Sequence, residues 1–276
     1  MHDSNSFSRR CYVDGKWGQV HCLMDGRMDV EGPPLVLLHQ SPWSSFQYQA
    51  VLPRLAAAGH RAIAPDSPGY GLSDPAPEGA GIADHADNLA HVLAALDRPP
   101  AVVIGHHTGA LIAAALAARH PELVHGLVLD NLPLYTPAER ASRAALHGNA
   151  AVLRPDGSHL TDRWAVMRQR GDPELSDASI QLAVIAWAQA GPDGGHAAAF
   201  AHDPAPDLQA IKVATLCVAG RTDPLFGHLE RVLAARPDFD AIALPGGAAM
   251  HLEQADQWVA AILPFIAPMP RSTGGG

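Results

Sequence analysis

Short apolar segments alternate with helical segments along residues 35–130, and this alternation restricts the possible folds more than any other feature of the chain. The runs LVLLH (35–39) and AVVIG (101–105) have the length and composition of strands that are covered on both faces. Between them, four apolar side chains recur at helical spacing: Leu89, Val92, Leu93 and Leu96. This pattern predicts an α/β fold with a doubly wound, mostly parallel sheet.

The alternation stops after residue 130 and resumes near residue 213. The interval 134–205 carries helical runs rich in Ala, Arg and Trp and no convincing strand pattern. We therefore expect a helical cap at 134–205, inserted into one core domain made of 1–133 and 206–276. Because open parallel sheets bind their ligands beyond the carboxyl ends of the strands, the cap is expected to lie over those ends.

Composition narrows the possible partners. The formal charge of −9 is spread along the chain, so we expect no nucleic-acid partner. No apolar stretch reaches the roughly 18 residues that a membrane span needs, so we expect no membrane partner. Three cysteines without C-x-x-C spacing favour reduced thiols and a cytoplasmic location. A monomer and a homodimer both stay open.

Polar residues follow the predicted strands at the points where such sheets bind ligands. They are His39, Gln40 and Ser41, then His107 in GHHTG, Asp130, Asp223 in AGRTDPLF, and His251. His107 sits in a G-x-His-x-G turn between a strand and a helix, where a nucleophile elbow would place its reactive side chain. With Asp223 and His251 it follows the chain order nucleophile, acid, histidine, which is that of a hydrolase triad.

Five motifs in this order resemble the α/β-hydrolase fold superfamily, especially its capped group of haloalkane dehalogenases, epoxide hydrolases, C–C bond hydrolases and small esterases. They are LLHQSPWSS, HRAIAPDSPGYGLSDP, GHHTG, AGRTDPLF and HLEQADQWVAAILPF. The resemblance covers about residues 17–266. It implies a small-molecule substrate, no cofactor, and an oxyanion hole formed by the backbone N–H groups of Ser41 and Thr108.

Two residues depart from the family pattern. His107 stands where the family has serine, cysteine or aspartate, and Gln40 replaces the glycine after His39. Because the nucleophile differs, the reaction does not carry over with the fold. The dipole of the following helix disfavours positive charge, so we expect a neutral imidazole at His107 that acts as a nucleophile or base.

These observations predict a hydrolase acting on an ester, lactone or similar acyl bond through a His107–Asp223–His251 triad. Asp223 is expected within hydrogen-bond reach of His251, with Asp130 as the alternative acid. Two other functions stay open: a lyase-type enzyme that moves protons in C–C cleavage or decarboxylation, and a non-catalytic ligand-binding protein. His39, His107, His251 and Asp223 could converge on a metal ion, but no H-x-x-H spacing supports one, so we expect no metal.

Further side chains are predicted to line the substrate pocket. They are His39, Gln40 and Trp43 from the core, and Trp164, Trp187 and Phe200 from the cap. Packing between cap and core is an equally good interpretation of the aromatic residues.

Overall fold

The computed structural model describes residues 8–27, 32–96, 100–146, 153–170, 172–190 and 194–267. These residues form one sheet from the strands β1 (Arg9–Gly15), β2 (Gly18–Asp25), β3 (Leu35–Leu38), β4 (Ala62–Pro65), β5 (Ala101–His106), β6 (Val124–Asp130), β7 (Thr215–Gly220) and β8 (Asp240–Leu244). Their spatial order is β1-β2-β4-β3-β5-β6-β7-β8. β2 pairs antiparallel with β1 and β4, and the other pairings are parallel, which confirms the predicted sheet.

Helices cover both faces of the sheet. They are α1 (Leu52–Ala57), α2 (Ile82–Ala95), α3 (Thr108–Arg119), α4 (Pro137–Leu146), α5 (Ser158–Arg170), α6 (Asp177–Gln189), α7 (Gly194–Ala201), α8 (Ala205–Ala210), α9 (His228–Ala235), α10 (Met250–Glu253) and α11 (Ala255–Ile266). Along β5, Val103 packs in the cluster that contains α2 and α3, whereas Val102 and Ile104 pack in the cluster that contains α1 and α11. Both faces of β5 are therefore buried, which explains its unbroken apolar sequence.

Helices α4 to α8 lie between β6 and β7 in the chain, where the cap is predicted. The described residues of this interval contain helices and no strand. Leu175 and Ile180 pack against Trp43 of the core, and Phe200 packs against Tyr135 and Leu225. The treatment of 134–205 as a unit separate from the core stays a prediction.

Among the described helices, none combines the length and the apolar character that crossing a bilayer requires.

Candidate active site

The turn between β5 and α3 has the shape of the predicted elbow. His107 has a φ of 50° and a ψ of −113°, a conformation that is strained for any residue other than glycine. The chain passes so close to itself that a Cβ on Gly105 would lie 2.2 Å from the carbonyl oxygen of Gly109. A Cβ on Gly109 would lie 2.1 Å from the carbonyl oxygen of Leu38. The two glycines therefore permit the turn, and an imidazole stands at its apex.

His107 is hydrogen-bonded to a buried carboxylate. Its Nε2 lies 2.9 Å from Oδ2 of Asp223, and the backbone N–H of Leu225 donates to Oδ1 of Asp223 at 2.7 Å. Burial alone would raise the pKa of Asp223, but the charge and hydrogen bond of His107 and the Leu225 N–H outweigh it and hold the pKa below its usual value. A neutral His107 therefore carries its proton on Nε2, which leaves Nδ1 as the nitrogen with the free electron pair.

His251 belongs to a different pair, so the predicted contact between Asp223 and His251 is wrong. Nε2 of His251 lies 3.0 Å from Oδ2 of Asp130, and Nε1 of Trp258 donates to the same oxygen at 2.7 Å. Nδ2 of Asn131 donates to Oδ1 of Asp130 at 2.9 Å. Asp130, the alternative acid, thus holds His251. The structure does not link His107, Asp223 and His251 as the predicted triad requires.

The length of the elbow side chain and the strand register explain why Asp223 pairs with His107 and Asp130 with His251. A serine hydroxyl ends one bond beyond Cβ, whereas the longer imidazole of His107 reaches the turn after β7 and occupies Oδ2 of Asp223. Asp130 ends β6 in register with His106 of β5. Its carboxylate contacts His251 of α10 and Trp258 of α11.

A third imidazole, that of His106, separates the two pairs. Its ring centroid lies 4.2 Å from that of His107 and 4.5 Å from that of His251. Oε1 of Gln47 accepts the N–H of Gln40, so Nε2 of Gln47 donates to Nδ1 of His106 at 3.0 Å. Burial first, and then the charges of the two neighbouring histidines, hold the pKa of His106 well below its usual value. His106 is therefore neutral at neutral pH.

Two groups of described side chains have the composition of a transition-metal site. In each, the ligand atoms lie within 4.8 Å of one another: His106 with Asp130 and His251, and His106 with His107 and Asp223. Hydrogen bonds of 3.0 and 2.9 Å already join a histidine to an aspartate in each group. The set considered from sequence, which included His39, does not come together.

A cavity of about 170 Å³ opens in front of His107. The residues that line it are Ser41, His107, Thr108, Pro133, Tyr135, Arg143, His196, Ala199, Phe200, Pro224 and Leu225. Ser41 and Thr108, the predicted oxyanion-hole residues, thus face the same space as the imidazole. Thr108 is the first residue of α3, a position whose N–H has no partner within the helix.

Five of the predicted pocket residues lie elsewhere in the structure, and their placement has packing reasons. His39 is buried, with its Nδ1 donating to the carbonyl of Gln40 at 2.8 Å and its Nε2 accepting the Ser67 N–H at 2.9 Å. Gln40 is held in the same loop by Gln47. Trp43 and Trp164 pack together between core and insertion, and the guanidinium of Arg163 stacks on Trp187. Only Phe200 of the predicted set lines the cavity.

Sequence reasoning missed Tyr135, Arg143 and His196 as lining residues. Tyr135 and Arg143 come from the beginning of the insertion and from α4, and His196 comes from α7, which lies about 50 residues further along the chain and meets them through helix packing. One sequence signal was available: PLYTPAER begins where the strand–helix alternation stops.

Residues 33–254 match the protein family described as the alpha/beta hydrolase fold. The chain belongs to this family. It is similar to a haloalkane dehalogenase of Mycobacterium marinum, with 29% identity over 242 residues that cover 78% of this chain and 76% of the relative. It is also similar to epoxide hydrolase B of Mycobacterium tuberculosis, with 33% identity over 117 residues, 42% of this chain and 33% of that protein. The family and these relatives support a hydrolase.

Solved structures of the same fold cover nearly the whole chain. An E-2-(acetamidomethylene)succinate hydrolase superposes with a TM-score of 0.80 at 21% identity, covering 95% of this chain and 100% of that one. The enol-lactonase from Burkholderia xenovorans superposes with a TM-score of 0.77 at 21% identity, covering 93% of this chain and 100% of that one. At these identities the likeness shows the fold alone.

Proposed function

We propose that this member of the alpha/beta hydrolase fold family is a cofactor-independent hydrolase of an ester, lactone or similarly activated acyl bond. His107 is its catalytic base, and Asp223 is the positioning residue. The observation that carries the proposal is the 2.9 Å contact between Nε2 of His107 and the buried Asp223, made at the apex of the elbow and facing the cavity. Hydrolytic names among the relatives, including the enol-lactonase, support this class of reaction.

Because Asp223 holds Nε2, we assign the removal of the proton to Nδ1 of His107. It stands two bonds beyond Cβ, as far as a carboxylate oxygen of an aspartate at the elbow would reach. It accepts a proton from water, the water oxygen bonds to the acyl carbon, and the carbonyl electron pair moves onto the oxygen. The N–H groups of Ser41 and Thr108 stabilise that oxyanion, and Asp223 stabilises the imidazolium.

The second half of the reaction returns the proton. The oxyanion collapses, the bond to the leaving oxygen breaks, and that oxygen takes the proton from Nδ1 of His107. The products are a carboxylic acid and an alcohol, and His107 is again neutral. In this scheme His251 does not touch the substrate, because both ring nitrogens face protein: Nε2 faces Asp130 at 3.0 Å and Nδ1 faces Gln47 at 3.5 Å.

The same geometry favours one second candidate. A neutral imidazole beside two N–H donors can also remove a proton from carbon and stabilise the resulting enolate, which is the lyase-type reaction. Oxygen labelling separates the two reactions. A hydrolase transfers oxygen from isotopically labelled water into the acid product, whereas a lyase releases a product without the label.

The test measures initial rates on a panel of p-nitrophenyl esters and lactones. We expect His107→Ala to lower kcat by at least about 10²-fold. His91→Ala, which removes an exposed histidine of α2, is the matched control and is expected to keep the wild-type rate. If the folded wild-type protein turns over no member of the panel, the non-catalytic alternative replaces the proposal.

His107→Ser tests the pairing of the acids. A serine at the elbow has no free histidine nitrogen to activate it, because Nε2 of His251 faces Asp130 and Nδ1 faces Gln47. We therefore expect the serine variant to be no faster than His107→Ala. A serine variant that exceeds the wild-type rate would show that the parent is a degenerate serine hydrolase.

A further inference from the structure

One wall of the cavity in front of His107 carries a guanidinium group. Arg143 lies on α4 and lines the cavity. The Cζ atom of Arg143 lies 4.5 Å from the ring centroid of Tyr135, which also lines the cavity. Stacking uses the flat face of a guanidinium and leaves its in-plane N–H groups free to bind a planar anion. The flat face of the Arg143 guanidinium therefore packs on Tyr135, and its in-plane N–H donors can bind a ligand.

Arginines near Arg143 are already paired with acids. Arg140, on the same helix, lies 3.4 Å from Asp203, and Arg231 makes a two-pronged contact with Glu139 at 2.7 and 2.9 Å. In the described portion of the chain, no carboxylate pairs with Arg143. Its charge, in the wall of the cavity, is thus not neutralised by any carboxylate of the described residues.

Among the described residues, the rest of the cavity wall offers no competing negative charge. The described lining residues include no aspartate or glutamate. Asp223 stands behind His107, and both its oxygens are engaged, one by His107 and one by the N–H of Leu225. Although the whole chain has a net charge of −9, the cavity that His107 lines is therefore also lined by the positively charged Arg143. Such a local contrast favours an anionic ligand.

We propose that Arg143 binds a carboxylate on the substrate, remote from the acyl bond that His107 attacks. This inference rests on the proposed function and names its substrate class: a half-ester of a short dicarboxylic acid, or a lactone that bears a free carboxylate. The in-plane donors of a guanidinium match the two oxygens of a carboxylate. A cavity of about 170 Å³ is smaller than the roughly 300–1,000 Å³ of pockets for drug-sized ligands, so the chain between the two groups is short.

The test compares a neutral with an anionic ester, p-nitrophenyl acetate and mono-p-nitrophenyl glutarate. We expect the wild-type protein to prefer the glutarate ester in kcat/KM. Arg143→Gln is expected to reduce that preference by about 10–100-fold, mainly through a higher KM for the anionic ester. High salt is expected to weaken the wild-type preference in the same direction. A wild-type protein without the preference, or a variant that keeps it, would overturn the proposal.

Arg54→Gln is the matched control, since this guanidinium pairs with Asp256 on the surface and does not line the cavity. It is expected to keep the wild-type preference. Because Arg143 is exposed, its replacement should leave the fold intact, and thermal melting of both variants checks this.

Calorimetry with glutarate alone separates failure of this inference from failure of the proposed function. Glutarate that binds the wild-type protein and not Arg143→Gln supports the carboxylate site even if no ester is hydrolysed. If the wild-type protein cleaves neutral esters in a His107-dependent manner but does not bind glutarate, the carboxylate site is overturned. The proposed hydrolase function then still stands.

Discussion

Asp130→Asn is expected to destabilise the protein by about 2–5 kcal/mol. The Asp130 carboxylate is 2% exposed and accepts three hydrogen bonds, two at Oδ2 from His251 and Trp258 and one at Oδ1 from Asn131. An asparagine keeps one acceptor oxygen and turns an NH₂ group toward at least one of these donors. Each buried donor left unsatisfied costs about 1–3 kcal/mol, and the remaining bonds lose the charge that strengthened them.

Urea denaturation followed by circular dichroism measures this free energy of unfolding. The control is Asp256→Asn, which breaks the pair between Arg54 and the 84%-exposed carboxylate of Asp256. Exposed ion pairs contribute about 0–1 kcal/mol to stability, so we expect the control to lose at most about 1 kcal/mol of its free energy of unfolding. If Asp130→Asn loses no more stability than Asp256→Asn, the buried pair of Asp130 and His251 does not stabilise this end of the sheet.

Three further results are expected. Asp223→Asn should lower kcat by about 10²–10⁴-fold, whereas Asp130→Asn should lower the kcat of its folded fraction far less; equal losses would contradict the separation of the two pairs. Burial lowers the pKa of His85 to about 4, so as the pH falls the unfolded chain binds a proton before the folded protein does. The free energy of unfolding should therefore decrease as the pH drops from about 6.5 toward 4, by up to about 3 kcal/mol for this group. Urea midpoints at several pH values, compared with those of His85→Gln, measure this slope, and identical slopes would refute it. Gly109→Ala should cost at least about 2 kcal/mol in the same assay, because its Cβ meets the Leu38 carbonyl, while Gly81→Ala, with ordinary contacts only, should cost less.

The sheet and the elbow were predictable because local sequence determines them. Strands that are buried on both faces have continuous apolar sequences, and β5 has such a sequence. The two glycines around His107 mark a turn that the backbone can make only without a Cβ at those positions. The order of motifs along the chain was then enough to assign the fold.

The pairing of acids with histidines was not predictable from chain order. Asp130 and Asp223 both follow strands that end at the same edge of the sheet, and two histidines lie within reach of them. Which carboxylate meets which imidazole depends on side-chain length at the elbow and on the register of β5 with β6. The length of the His107 side chain can be read from the sequence, but the register of the strands cannot.

The cavity wall was even less accessible to sequence reasoning. His196 becomes a neighbour of Tyr135 and Arg143 only through the packing of α4 against α7. Trp43 and Trp164 were predicted to line the pocket, but these large aromatic side chains instead bury apolar surface between core and insertion.

Chemical rescue of His107→Ala tests most directly whether an imidazole at the elbow is the reacting group. The substitution leaves space beside the cavity, and free imidazole added to the variant can occupy it and meet Asp223. We expect the rate of ester hydrolysis by His107→Ala to rise with imidazole concentration and to saturate, while His91→Ala shows no such response. A His107→Ala protein that hydrolyses the substrate at the wild-type rate without added imidazole would contradict the role of His107 outright.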